Sequence, residues 1–146
     1  MKSLNASRVR YLVVGGYAVA FHGHPRYTKD LDVWIESSPQ NAARVVKALQ
    51  HFGFGSLGLT QSDFSAPDQI IQLGNPPNRI DVLTSLAGVE FAQCYAARVR
   101  VIVEGIRVNV IDARHLKKNK RVAGRPQDLA DVASLTETRS SRNRRR

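Results

Sequence analysis

Cysteine is almost absent: Cys94 is the one thiol among 146 residues, beside one tryptophan and one methionine. A single thiol excludes both a disulfide framework and a cysteine zinc cage, so the fold has to be held by its apolar core. No apolar run approaches the ~18 residues of a membrane-spanning helix, and no basic start followed by an apolar stretch marks a secretion signal. A cytoplasmic protein with no membrane contact is expected. Acids are also scarce, 12 Asp and Glu against 22 Lys and Arg, for a net charge of +10. The imbalance is concentrated in Arg139 to Arg146, which holds five arginines and no acid. Residues 1–138 are therefore expected to form one domain with one core, and 139–146 a basic, solvated, disordered tail that can steer polyanions at long range.

Apolar periodicity places the elements. Arg10 to Gly16 reads as a buried strand closed by a glycine pair, Tyr17 to Gly23 as a helix and Leu31 to Glu36 as a second strand. Ser38 and Pro39 are an N-cap and a first helical residue, Val45, Val46, Leu49 and Phe52 follow at helical spacing, and Gly53 is a stop. Phe54 to Pro67 has no sustained period and reads as a mobile loop. Gln69 to Leu73 and Arg79 to Thr84 predict one antiparallel pair, and Arg98 to Glu104 and Ile106 to Ile111, around Gly105, predict another. Helices over Ala113 to Arg121 and Pro126 to Thr138 finish the chain. Strands and helices mix without strict alternation, which favours a single α+β domain with a mixed sheet flanked by helices.

The chemistry concentrates in Asp30-Leu31-Asp32-Val33. Residues two apart on a strand share a face, roughly 6.6 Å apart at Cα, so both carboxylates can converge while Leu31 and Val33 face the core. Asp81 repeats the pattern between Ile80 and Val82. Three carboxylates within about 5 Å repel by some 3 kcal/mol per pair at an effective dielectric of 20. A divalent cation offsets that, and an all-oxygen acidic site suits Mg²⁺; ion pairing with Arg26, Lys29 and Arg79 is the alternative. Gly15-Gly16 stands where a strand gives way to a helix, the place for a close backbone approach to phosphate or, equally, for a tight turn.

Val14-Gly15-Gly16, then Asp30-Leu31-Asp32-Val33, then Ile80-Asp81-Val82 resemble the three signature elements of the nucleotidyltransferase superfold related to DNA polymerase β. The wording of Tyr11 to Ala20 and Arg26 to Val33 is closest to small bacterial nucleotidyltransferases related to abortive-infection toxins, and Lys118 to Asp131 resembles their late segment. The resemblance covers about residues 9 to 135. It implies Mg²⁺ or Mn²⁺ held by Asp30, Asp32 and Asp81 as catalytic residues, and a nucleoside triphosphate bound by Gly15, Gly16, Lys118, Lys120 and Arg125. Arg26, Thr28 and Asp128 would support them. The implied reaction moves a nucleoside monophosphate to an acceptor that the sequence leaves open among RNA such as tRNA, a protein and a small molecule. An antitoxin partner follows if the chain is the toxin of a toxin–antitoxin pair.

The chain departs from this pattern at Gly16, where many members carry serine, and at Gln127, where relatives carry lysine. A separate acceptor-recognition domain is expected to be missing. A catalytically inactive nucleotidyltransferase fold that binds nucleotide, RNA or protein is the competing expectation. A metal-dependent glycosyltransferase also uses Asp-x-Asp but needs a larger sheet, and a glycosidase needs carboxylates flanking its bond from opposite sides. His22-Gly23-His24 reads as a helix end, Asp128 as a partner for Arg125, and Trp34, without aromatic neighbours in sequence, as a packing residue.

Overall fold

The computed structural model describes residues 1–23, 30–75 and 79–144. Its helices are α1 (Lys2–Ala6), α2 (Gly15–Phe21), α3 (Pro39–Phe52), α4 (Gln61–Ser65), α5 (Phe91–Ala96), α6 (Ala113–Ala123) and α7 (Pro126–Arg144). Its strands are β1 (Tyr11–Val14), β2 (Leu31–Ile35), β3 (Ile70–Leu73), β4 (Ile80–Leu83), β5 (Val99–Val103) and β6 (Ile106–Val110). Among the described residues these strands form one six-stranded sheet ordered β3-β4-β2-β1-β6-β5. β1 runs antiparallel to β2 and parallel to β6, β2 parallel to β4, and each edge strand antiparallel to its neighbour. This is the mixed α+β sheet expected from the order of elements.

The centre of the sheet is the core. All four residues of β1 are buried, as are Val33, Trp34 and Ile35 of β2. Leu31, Val33 and Ile35 point to the face packed by α1 and α3, with Leu4, Val45, Ala48 and Leu49 opposite them. Asp32 and Trp34 point the other way, where Trp34 meets the Phe91 ring edge-on at 5.1 Å. The strand period thus divides β2 into a packing face and a face left for chemistry.

Local signals explain most boundaries. The Ser38 hydroxyl accepts from the Asn41 N–H, Pro39 opens α3 and Gly53 closes it at φ 101°, a left-handed cap. Glu104 and Gly105 both take positive φ, 51° and 78°, the turn that a two-residue hairpin between β5 and β6 requires. The glycine pair opens α2 instead of closing β1, because Gly15 at φ 65° swings the chain directly into the helix.

Three short helices depart from the sequence expectation. Residues 54–67 are not a mobile loop: Gly55–Leu57 form a 3₁₀ turn and α4 is fixed by a capping box between Thr60 and Asp63, with Phe64 fully buried beneath it. α1 and α5 stand where no element was expected. α5 supplies Phe91, so Trp34 does have an aromatic companion, while its burial agrees with a packing role. α7 runs past Thr138 to Arg144 in a segment without glycine or proline to stop it. Among the described residues no helix is long and apolar enough to cross a membrane.

Candidate active site

The β1–α2 turn, β2, β4, α6 and α7 together build one cleft. It has a volume of about 780 Å³ and is walled by Gly15 and Gly16, by Asp30 and Asp32, by Arg79 and Asp81, and by α6 and α7 through Asn119, Lys120, Arg125 and Asp128. Sheet register brings the acids together. Asp32 lies opposite Asp81 on parallel neighbours β2 and β4, and opposite Val14 on β1, one residue before the glycine pair. A side chain at position 15 would collide with the Asp32 carboxylate, so glycine is required there both for its backbone angle and for the space that Asp32 fills. Gly16, also on the cleft wall, is buried.

The three acids are not equivalent. The Arg79 guanidinium bridges two of them, donating from Nη2 to Asp30 Oδ2 at 2.8 Å and to Asp81 Oδ2 at 3.3 Å. Its Nε lies 3.1 Å from Asp81 Oδ1 as an ion pair without hydrogen-bond alignment. Asp32 is pushed up to about 6, first by burial, then by the charges of Asp81 and Asp30; Lys120 and Arg79 offset this only in part. The ion-pair alternative is therefore realised through Arg79, which pairs with both Asp30 and Asp81. Arg79 was legible only as an ordinary partner. Its place two residues before Asp81, on the same strand face, is the signal that puts it in the site.

The donor set suits a hard divalent cation. It is all carboxylate oxygen, it lacks thiol and imidazole, and burial together with the charges of Asp81 and Asp30 pushes the Asp32 carboxyl up to about 6. As the side chains stand, no group of three or more His, Cys, Asp or Glu among the described residues is placed to hold a metal ion. Arg79 lies between Asp30 and Asp81, holding part of the positive charge that a cation would supply.

The late cations divide differently from the sequence expectation. Lys120 reaches the cleft wall, but it is buried and its Nζ lies 3.2 Å from Asp128 Oδ1 and 3.3 Å from Asp131 Oδ2. Arg125 donates from Nε to Asp128 Oδ2 at 2.7 Å while most of its side chain stays exposed at the rim. Burial alone would raise the Asp128 carboxyl; the hydrogen bonds from Arg125 and Lys120 outweigh it and hold it below its usual value. The ion pair expected between Arg125 and Asp128 is thus present and extends to Lys120 and Asp131. Lys118 is a correction: it does not line the cleft but is exposed, on the side from which its charge acts on the Cys94 thiol. Two residues on a helix are ~200° apart, so Lys118 and Lys120 cannot face the same site. His22 ends α2, its Nε2 2.8 Å from the Ile111 carbonyl. His24, Arg26, Thr28 and Lys29 lie outside the described residues.

Comparison with known proteins places this arrangement in a class of folds. The chain resembles the crystal structure of an antigenic nucleotidyltransferase-like protein from Paracoccidioides brasiliensis, with a TM-score of 0.54 and 19% identity over 92% of this chain and 70% of that one. It also resembles the lincosamide antibiotic adenylyltransferase LnuA in its lincomycin-bound form, with a TM-score of 0.54 and 12% identity over 94% of this chain and 92% of that one. The likeness is one of fold: this chain shares its mixed α+β fold with these two structures. No family model and no curated protein sequence matches the chain.

Proposed function

We propose that the chain is a metal-dependent nucleotidyltransferase that moves a nucleoside monophosphate from a nucleoside triphosphate to an acceptor hydroxyl, releasing pyrophosphate. The observation that carries this reading is the register of Asp32 on Asp81 beside the glycine turn, at the mouth of a cleft wide enough for a nucleotide. Asp30, Asp32 and Asp81 would hold Mg²⁺ or Mn²⁺, which supplies charge neutralisation at the attacking and leaving oxygens. Gly15 and Gly16 present bare backbone to the phosphates. Arg125, exposed at the rim, and Arg79, between the acids, are the guanidiniums within reach of phosphate oxygens. Asp81 would help to take the acceptor proton once Arg79 turns from it to phosphate. Lys120, enclosed by Asp128 and Asp131, sets the position of the α6–α7 wall and its charge acts on Asp32.

Calorimetric titration of ATP, CTP, GTP and UTP with and without Mg²⁺ tests the reading. Binding is expected only with metal, and Asp32→Asn is expected to abolish it. Equal binding in chelator would overturn the proposal and leave a metal-independent nucleotide-binding module.

A further inference from the structure

A second cleft opens at the opposite end of the sheet. β1 starts there, so five residues of chain, about 17 Å if fully extended, separate Arg10 from Gly15. This cleft has a volume of about 360 Å³ and draws arginines from three segments: Arg8 and Arg10 before β1, Arg98 and Arg100 at β5, and Arg107 on β6. Register keeps them on one face, since Arg100 lies opposite Asn109 and Arg107 is two residues earlier on the same strand. No acid lines the cleft. Among the described residues, Arg10 alone of the five pairs with a carboxylate, Glu36 at 3.3 Å.

The cluster is crowded as well as unneutralised. The Arg98 guanidinium stacks over the Tyr95 ring at 4.0 Å, and that of Arg10 lies 5.7 Å from the same ring. Arg98 Nε is buried with no hydrogen-bond partner. Like charges gathered in this way, with a donor left unused, call for an anion that the chain itself does not supply.

We propose that this cleft binds the phosphate backbone of a single-stranded nucleic acid. Guanidinium forks match phosphate oxygens in pairs, and backbone contacts need charge and no base-specific pocket. A concave site accepts one strand, where a duplex needs a surface that reaches into its grooves. An acidic protein segment fits less well, because protein interfaces draw their affinity from apolar and aromatic anchors in pockets. Here Val9 is the one aliphatic wall residue, already buried, and the Tyr95 ring is covered by Arg98 and stacked on Phe91. The site is separate from the acid cleft and works without metal or nucleoside triphosphate.

Fluorescence anisotropy of a labelled oligouridylate, with the full chain in chelator and without nucleotide, tests the proposal. Arg100 and Arg107 are exposed, so replacing both leaves the core untouched. Arg100→Ala with Arg107→Ala is expected to weaken binding about tenfold at low salt and to reduce the slope of log affinity against log salt by about 1.4, roughly 0.7 for each phosphate no longer neutralised. Asp32→Asn should bind the oligonucleotide as the unchanged protein does, so failure of the nucleotidyltransferase reading and failure of this one are told apart. An oligothymidylate should bind within about threefold of the RNA, since phosphate contacts carry no sugar information. Crosslinking of a thiouridine-containing strand to the unsubstituted protein should map to residues 95–109 or 8–10. Three results would overturn the proposal: binding that survives the double substitution but disappears on truncation after Thr138, displacement by polyglutamate as effective per charge as by RNA, or crosslinks confined to other segments.

Discussion

Two groups of charged side chains share the acid cleft and have opposite character. On the α6–α7 wall, Lys120 is enclosed by Asp128 and Asp131 with Arg125 completing the set, and Asp128 is held below its usual pKa. On the β2–β4 wall, Arg79 pairs with Asp30 and Asp81, and the Asp32 carboxyl is pushed up to about 6. Burial is common to both. The difference is in what faces the buried carboxylate: Asp128 accepts hydrogen bonds from Lys120 and Arg125, whereas Asp32 faces the charges of Asp81 and Asp30, which Lys120 and Arg79 offset only in part. A buried carboxylate therefore points to function only when its neighbours fail to neutralise it.

The comparison breaks most visibly at Lys120. Lys120→Ala removes the buried cation between Asp128 and Asp131 while Arg125 stays on Asp128, and should cost about 3 kcal/mol, lowering the melting temperature by roughly 10 °C. An unchanged melting temperature would mean that the wall is not held by this lysine.

Asp32→Asn should act in the other direction. A carboxyl whose folded pKa is raised from 3.8 to about 6 binds its proton more tightly in the folded state, so its stabilising effect is present at low pH and is lost as pH rises through that window. Above it, the ionised Asp32 is a burden. The asparagine variant should be more stable at neutral pH by about 1–2 kcal/mol after allowance for solvent screening, or roughly 3–6 °C, with the gap closing below about pH 4. Melting curves across pH check this, and a variant less stable at neutral pH would show that the ionised Asp32 is not a burden.

The smallest effect sharpens the same contrast. Arg79→Ala removes a partly exposed ion pair and should cost less than about 1 kcal/mol. It should also tighten Mn²⁺ binding by up to about thirtyfold, since one positive charge ~4 Å from a divalent ion is worth about 2 kcal/mol even in bulk water. Titration calorimetry reads both the sign and the size, and weaker Mn²⁺ binding would make Arg79 a support for the site and not a rival of the cation.

Much of this was legible in the chain. Period-two alternation around Asp32 and Asp81, the Ser38 cap and the Gly105 turn each act over a few residues, and the structure follows them. What was hidden depends on distant partners. Arg79 becomes a site residue only through the register of β2 on β4, and Lys120 becomes enclosed only when α7 packs on α6. Phe64 explains why residues 54–67 are ordered: a short apolar signal carries little period, yet one buried ring with a Thr60–Asp63 capping box fixes the segment. The sequence carries that box as Thr60-Gln61-Ser62-Asp63.

β1 has a consequence for how the molecule meets its surroundings. This short, fully buried strand has the acids at its end and the arginine cleft at its start. Charge of opposite sign is therefore set apart along a fully buried strand, and a polyanion in solution exerts a torque on that pair of sites before any contact is made. Encounters will be oriented, arginine end first, with the acid cleft turned away from the charged surface and open to small metal-bound anions arriving from solvent. Raising the ionic strength should randomise that approach well before it loosens any bond inside the protein.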